Sequence, residues 1–339
     1  MRGRRILFHD PDPKVLRVAE RALVATGALV DLVDSEAKLA ERLDAGGHDL
    51  VMLNFDPPMR ADPEFCERLD ALAGRATRPK IVLHTTAQSE DYLPLMAERR
   101  YVRNLIAKND QALAADELIT TASKLLRGDL FGLDKYLAWG IEPFRMEVRD
   151  SREKLECVAR VAEQAERLGV GARTVALVET IVDELVTNAI YNAPRDAEGR
   201  ARYAKLSRRE PVALAQEEAA VLDFACDGSY IGISLIDPFG SLTQETIVRY
   251  LNRCLVERAP RAGATAEAWG LPGASGGAGL GLYRVFQSLS KFIVNVEPGR
   301  RTEVITLIDL GMTMKKFRAA GKSFHVFISD EADEASHAS

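Results

Sequence analysis

Cysteine is scarce in this 339-residue chain, and the four present are scattered. Cys66, Cys157, Cys226 and Cys254 form no C-x-x-C pair, which speaks against a zinc ribbon or a disulfide framework and fits a reducing, cytoplasmic setting. Long apolar runs are also lacking. After the basic start Met1 to Arg5, only Ile6, Leu7 and Phe8 precede His9 and Asp10, too short a run for a signal peptide. No stretch approaches the roughly eighteen apolar residues of a membrane span, so no membrane partner is expected. Basic blocks are missing as well. A formal net charge of -5 without a long cationic run argues against direct nucleic-acid binding. The five histidines, His9, His48, His84, His325 and His337, leave the stretch from Arg100 to Glu184 without one.

What is present is ample apolar residue, 47%, which suffices for sizeable cores, and a length that suits two domains. In the first part, short apolar runs (Ile6 to Phe8, Ala28 to Val33, Asp49 to Phe55, Ile81 to His84, Val102 to Ala107) alternate with helical spacings. The helical segments are Lys14 to Thr26, Glu36 to Asp44, Pro63 to Ala73, Asp91 to Arg99 and Asp110 to Arg127. Such alternation predicts a doubly wound parallel sheet with helices on both faces. Residues 128–143 break the rhythm. With Phe131, Tyr136 and Trp139 among the glycines, they read as a connector that packs against something, not a free linker. Residues 144–312 differ again: a strand from Phe144 to Val148, helices from Arg152 to Leu168 and Ala172 to Ala193, then mostly antiparallel strands. That order predicts an α/β sandwich. Residues 313–339 form a C-terminal extension whose acidic tail beyond Asp330 is expected to be disordered.

Three motifs in the second part carry chemistry. In Asp183-Glu184-Leu185-Val186-Thr187-Asn188, Glu184 and Asn188 are four apart and share one helix face. The amide oxygen of Asn can ligate a hard cation, and Glu can take a proton from an attacking hydroxyl or water. The competing reading of this motif alone is an ordinary amphipathic helix with a surface Asn. Asp237-Pro238-Phe239-Gly240 follows a strand. Its Asp can accept a hydrogen bond from an adenine amino group, or simply end the strand in a turn. Gly276-Gly277-Ala278-Gly279-Leu280-Gly281-Leu282 leads into a helix at Leu280 to Leu289, where backbone amides and the helix dipole suit phosphate. It is not a Walker loop, because no Gly-Lys-Ser/Thr follows. Nor is it G-x-G-x-x-G, because Arg284 stands at the third glycine.

Together these motifs resemble the GHKL (Bergerat-fold) ATPases. The resemblance implies a Bergerat α/β sandwich that binds ATP and Mg2+. Glu184 would be the general base and Asn188 the magnesium ligand. Asp237 and Gly240 would belong to the first glycine box, and Gly277, Gly279, Leu280 and Gly281 to the second, with Thr302 supporting adenine recognition. The segment Ser241 to Ser275 corresponds to the family's mobile lid. One departure is plain: the family's Asp-x-Gly-x-Gly carries Phe239 and Ser241 in place of its glycines, with Gly240 between. An autokinase keeps its phosphoacceptor His before the Glu184 motif, and none is there. The segment Phe144 to Asn192 looks instead like the anti-sigma-factor or serine kinase branch. Its members bind a sigma factor or an antagonist, dimerise, and phosphorylate a Ser of the antagonist. A non-catalytic ATP-dependent scaffold and a histidine kinase acting on a separate phosphotransfer protein stay open as alternatives.

Residues 1–127 resemble a response-regulator receiver, a flavodoxin-like fold. Asp10 falls in the family's acidic pocket, Asn54 at the phosphoacceptor position, Thr85 or Thr86 at the switch hydroxyl and Lys108 near the pocket lysine. Pro58, four residues beyond Asn54, fixes that register. An amide cannot form an acyl phosphate, and Pro11 removes a second acidic residue, which points to a pseudo-receiver. Asp56, two residues past Asn54, is expected to lie outside the pocket.

Overall fold

The computed structural model describes residues 1–57, 59–75, 78–110, 112–258, 285–312, 316 and 320–329. The chain divides into two compact units. One is built from Met1–Trp139 together with Met312–Ser339, the other from Gly140–Gly311.

In the first unit, β1 (Arg5–His9), β2 (Leu29–Val33), β3 (Leu50–Asn54), β4 (Lys80–Thr85) and β5 (Asn104–Ala107) pair in parallel. Their order, β2-β1-β3-β4-β5, is that of flavodoxin-like folds. The central β3 is buried at all five positions, as a parallel strand covered on both faces must be. Helices α1 (Pro13–Val24), α2 (Glu36–Ala45), α3 (Pro63–Ala73), α4 (Ser89–Glu98) and α5 (Ala115–Arg127) connect and follow the strands. Two start with one device: Asp12 and Asp62 cap from the N-cap position, and the next residue is a proline with φ suited to the first turn. Val15, Ala19 and Leu23 of α1 and Leu118 and Ala122 of α5 meet Ile6, Phe8, Leu50 and Met52 in one core.

No element is predicted from the sequence between Asp309 and Asp330, yet Ser323–Ile328 forms a last strand. It runs antiparallel to β5, with Phe324 opposite Leu105 and His325 opposite Asn104. His325 Nε2 stands 3.1 Å from Glu117 Oε1, deep in the interior. The connector packs as well. Leu130 and Leu133 are buried, Thr120 donates to Lys135 O at 3.2 Å, and Lys124 Nζ donates to Tyr136 OH at 2.7 Å. The tail from Asp330 lies outside the described residues.

The second unit holds β6 (Phe144–Val148), α6 (Lys154–Arg167), α7 (Ala172–Thr187), β7 (Ala220–Cys226), β8 (Tyr230–Asp237), α8 (Gln244–Arg258), β9 (Lys291–Glu297) and β10 (Arg301–Asp309). The strand Ser323–Ile328 of the first unit is therefore β11. Strand order in the second unit is β9-β10-β8-β7-β6, antiparallel throughout. Helix α6 buries Cys157, Val161 and Ala165, and α7 buries Val178, Ile181, Val182 and Leu185, the helical stripe the sequence carries. Helix α8 occupies the first part of the stretch expected to be a lid, with Ile247, Val248 and Leu251 buried. Residues 259–275 of that stretch lie outside the described residues.

A polar stripe crosses the sheet. Arg145 forks onto Asp223 with two 2.7 Å bonds, and Glu303, 1% exposed, accepts from Ser234 Oγ and Asn295 Nδ2 at 2.8 Å each. Cross-strand pairs of this sort fix register, because a one-residue slip would bury a carboxylate against apolar neighbours.

Candidate functional site

Two polar constellations stand out, one in each unit.

In the second unit, strand pairing places Thr302 at the start of β10 directly opposite Asp237 at the end of β8. Both are buried, at 1% and 7% exposure. The Asp237 carboxylate accepts from Phe239 N at 3.0 Å, closing a tight turn. Burial pushes its carboxyl up to about 6, partly opposed by the Phe239 and Gly240 amides and by the charge of Arg195. Among the described residues, the buried Thr302 Oγ1 has no hydrogen-bond partner. A buried hydroxyl left unsatisfied costs about 1–3 kcal/mol, so it marks either a defect or a place that a ligand completes.

Gly240 holds this turn in place. Its φ is +57°, and a Cβ there would lie 2.2 Å from Glu297 O and 2.6 Å from Gly299 N. Gly299 N donates to Gly240 O at 3.2 Å. The glycine between the two substituted positions is thus the one that lets the Asp237 turn press against the β9–β10 turn, just before Thr302.

Helix α7 presents Glu184 and Asn188 half-buried, and packs Ile181, Leu185 and Ala189 inward. At Asn188–Asn192 the helix widens into a π-turn. Such turns are rare and occur often at functional sites. Asn192 Nδ2 donates to Asn188 Oδ1 at 2.6 Å, and Asn188 Nδ2 to Glu184 Oε1 at 3.4 Å. Burial raises the Glu184 carboxyl above its ordinary value, against the lowering effect of the Asn188 hydrogen bond. Ser241 Oγ donates to Ala193 O at 2.9 Å, tying the end of this helix to the turn after β8. Asn192 escaped the sequence reading, although its spacing of four from Asn188 repeats the spacing of Asn188 from Glu184. Gly277, Gly279, Leu280 and Gly281 lie outside the described residues.

In the first unit, the strand ends carry Asp10, Asn54, Thr85 and Lys108, all buried, and bring them together. Lys108 Nζ reaches Asp10 Oδ2 at 2.9 Å and Asn54 Oδ1 at 2.5 Å. The expectation for Asp56 is overturned: it lies inside this pocket. Its Oδ2 is 2.6 Å from Lys108 Nζ, and its Oδ1 accepts from Thr85 Oγ1 at 2.8 Å, Thr86 N at 2.6 Å and Thr86 Oγ1 at 2.8 Å. The cause is local. Phe55 N still bonds to His84 O at 2.8 Å, so the β3–β4 ladder runs one residue past Asn54, and Asp56 emerges at the pocket mouth. Burial raises the Asp56 carboxyl, but the hydrogen bonds from Lys108, Thr86 and Thr85 outweigh it, and the group sits below its ordinary value. His84 is held well below its ordinary value, by burial first and by the Lys108 charge second. Pro58 lies outside the described residues.

Among the described residues no group of three or more His, Cys, Asp or Glu side chains could hold a metal ion, and no helix is long and apolar enough to cross a membrane.

No family model matches the chain, and no curated protein matches it. The N-terminal region is similar in structure to response regulators. One is a response regulator from Thermotoga maritima, with 15% identity, covering 37% of this chain and 98% of that one at a TM-score of 0.31. Another is the T. maritima response regulator TrrA in complex with Mg(2+)-BeF, with 22% identity, covering 36% of this chain and 98% of that one at a TM-score of 0.30. A third is HP1043, an orphan response regulator of H. pylori, with 18% identity, covering 38% of this chain and all of that one at a TM-score of 0.31.

Proposed function

We propose that the second unit binds ATP with Mg2+ and that the protein is a signalling regulator of the anti-sigma or serine kinase type. The receiver-like first unit would govern it without being phosphorylated. The observation that carries the nucleotide reading is the Asp237–Thr302 pair: a buried carboxylate beside a buried hydroxyl that lacks a partner, at adjacent strand ends. An adenine edge offers what that pair needs, an amino donor for the carboxylate and a ring nitrogen as acceptor for the hydroxyl. Asn188 would hold magnesium through Oδ1, which accepts one hydrogen bond and keeps a second lone pair. Bound magnesium would neutralise phosphate charge. The half-buried Glu184, with its raised carboxyl, suits a general base for a hydroxyl of a protein substrate. The partner class is a sigma factor, an antagonist of one, or another signalling protein.

In the first unit, Asn54 replaces a nucleophile by an amide. The Asp56 carboxylate already takes the donors of Lys108, Thr85 and Thr86 that could otherwise face an incoming anion. Both observations support a unit that acts through docking and not through phosphoryl transfer.

Thr302→Val tests the nucleotide reading. Removing a hydroxyl that has no partner is expected to leave thermal stability unchanged or raise it by up to about 1 kcal/mol. Adenosine affinity should fall about tenfold, because the base loses one hydrogen bond in a dry site. A variant that binds adenosine as tightly as wild type would remove Thr302 from the site.

A further inference from the structure

The segment between Asn192 and β7 carries six cationic side chains: Arg195, Arg200, Arg202, Lys205, Arg208 and Arg209. Arg200 is neutralised by Asp196 and Glu198 at 2.8 Å each, and Arg202 by Glu218 at 2.8 Å. Arg208 is held differently. Its guanidinium lies over the Tyr191 ring, 4.7 Å from the centroid, and Nη2 donates to Asn192 Oδ1 at 2.9 Å. Among the described residues it has no carboxylate within ion-pair distance. Tyr191 is itself fixed, 3% exposed, with its hydroxyl donating to Glu210 O at 2.7 Å. An aromatic face and a carboxamide oxygen fix a guanidinium without cancelling its charge.

The place of this charge matters. Arg208, Asn192, Asn188 and Glu184 form one hydrogen-bonded chain, and the positive field of Arg208 reaches the Glu184 carboxyl. Arg195, by contrast, spends Nη1 on Asn192 O and Pro194 O, and its field falls on Asp237. The uncancelled guanidinium is therefore joined through Asn192 to Asn188 and Glu184, the residues that take magnesium and phosphate in the nucleotide reading. A fixed, exposed arginine with free N–H groups beside a carboxamide fits a phosphate oxygen.

We propose that Arg208 is the phosphate-recognising cation of this site, a specificity-determining residue that separates ATP from ADP and adenosine. The inference rests on the nucleotide reading above and names the ligand group that the Arg208–Asn192–Asn188 chain takes.

The test is calorimetry on the full chain with Mg-ATP, Mg-ADP and adenosine. Wild type should bind ATP more tightly than ADP. Arg208→Ala should lower ATP affinity about tenfold or more while ADP and adenosine stay within about twofold, the effect of losing one charge-assisted contact. Arg208→Lys, which restores charge but not the planar fork, should recover part of the difference. An unchanged ratio of ATP to ADP affinity in Arg208→Ala would overturn the proposal. So would a parallel fall for all three ligands, since that marks collapse of the Asn192–Asn188 contact and not a lost phosphate partner. Wild type that binds no adenine ligand overturns the nucleotide reading itself, a result distinct from wild type that binds ATP and a variant that binds it equally well.

Discussion

Replacing Gly240 by alanine is expected to cost about 3 kcal/mol or more of folding free energy. Two penalties add. A φ of +57° is outside the comfortable range of an L-residue, which costs about 1–3 kcal/mol. The new methyl would also lie 2.2 Å from the carbonyl oxygen of Glu297 and 2.7 Å from the amide nitrogen of Arg300. Those atoms are backbone and cannot swing away as a side chain could, so the β9–β10 turn must shift, and overpacking of this kind costs about 1–3 kcal/mol more. Gly199 is the matched control. Its φ is +78° with nothing within 4 Å of a Cβ, so Gly199→Ala isolates the backbone term of about 1–3 kcal/mol. Urea denaturation of the two variants measures the difference. Equal midpoints would mean that the Asp237 turn does not press on the β9–β10 turn as described.

Lys108→Met in the first unit is expected to be as damaging. The ammonium is surrounded by Asp10, Asn54 and Asp56 at 2.9, 2.5 and 2.6 Å, and its side chain is only 5% exposed. Removing it leaves buried carboxylates without their cation, which costs about 3–5 kcal/mol in comparable buried pairs. The pH dependence follows. Burial raises the Asp56 carboxyl and Lys108 is the largest influence opposing it, so without Lys108 the folded Asp56 binds its proton more readily and the variant regains stability as pH falls. Adding Asp56→Asn to Lys108→Met should recover part of the loss at neutral pH, because one uncompensated charge is gone while an amide oxygen still accepts from Thr85 and Thr86. A double variant as unstable as the single one would place the cost elsewhere.

The parts of this molecule that were legible in the sequence are those governed by periodicity. The βα alternation and the apolar stripe of α7 are local patterns, and the elements follow them. The place of Asp56 is not legible, because counting residues past a strand says nothing about where the ladder ends. The Phe55 amide extends it by one, and the side chain that follows falls into the pocket. Strand β11 carried a readable signal in Phe324-His325-Val326-Phe327-Ile328, a β-branched and aromatic run after Gly321. Helix α8 also carries helical spacing in Ile247, Val248 and Leu251. The packing role of Gly240, beyond its place in the glycine box, is not legible in the sequence. It depends on the approach of a turn almost sixty residues later, a long-range contact that no local pattern encodes. The same holds for Arg208, whose partner Asn192 is the last residue of a π-turn that sequence does not announce.

The nucleotide reading is tested most directly by titrating the full chain with Mg-ATP in a calorimeter, beside Asn188→Ala. Wild type is expected to bind, and to bind more tightly with magnesium than with a chelator present. Asn188→Ala is expected to lose that magnesium-dependent gain while keeping affinity for adenosine, which meets Asp237 and Thr302 instead. Absence of heat on titrating wild type, supported by absence of any thermal shift with ATP, would contradict the account.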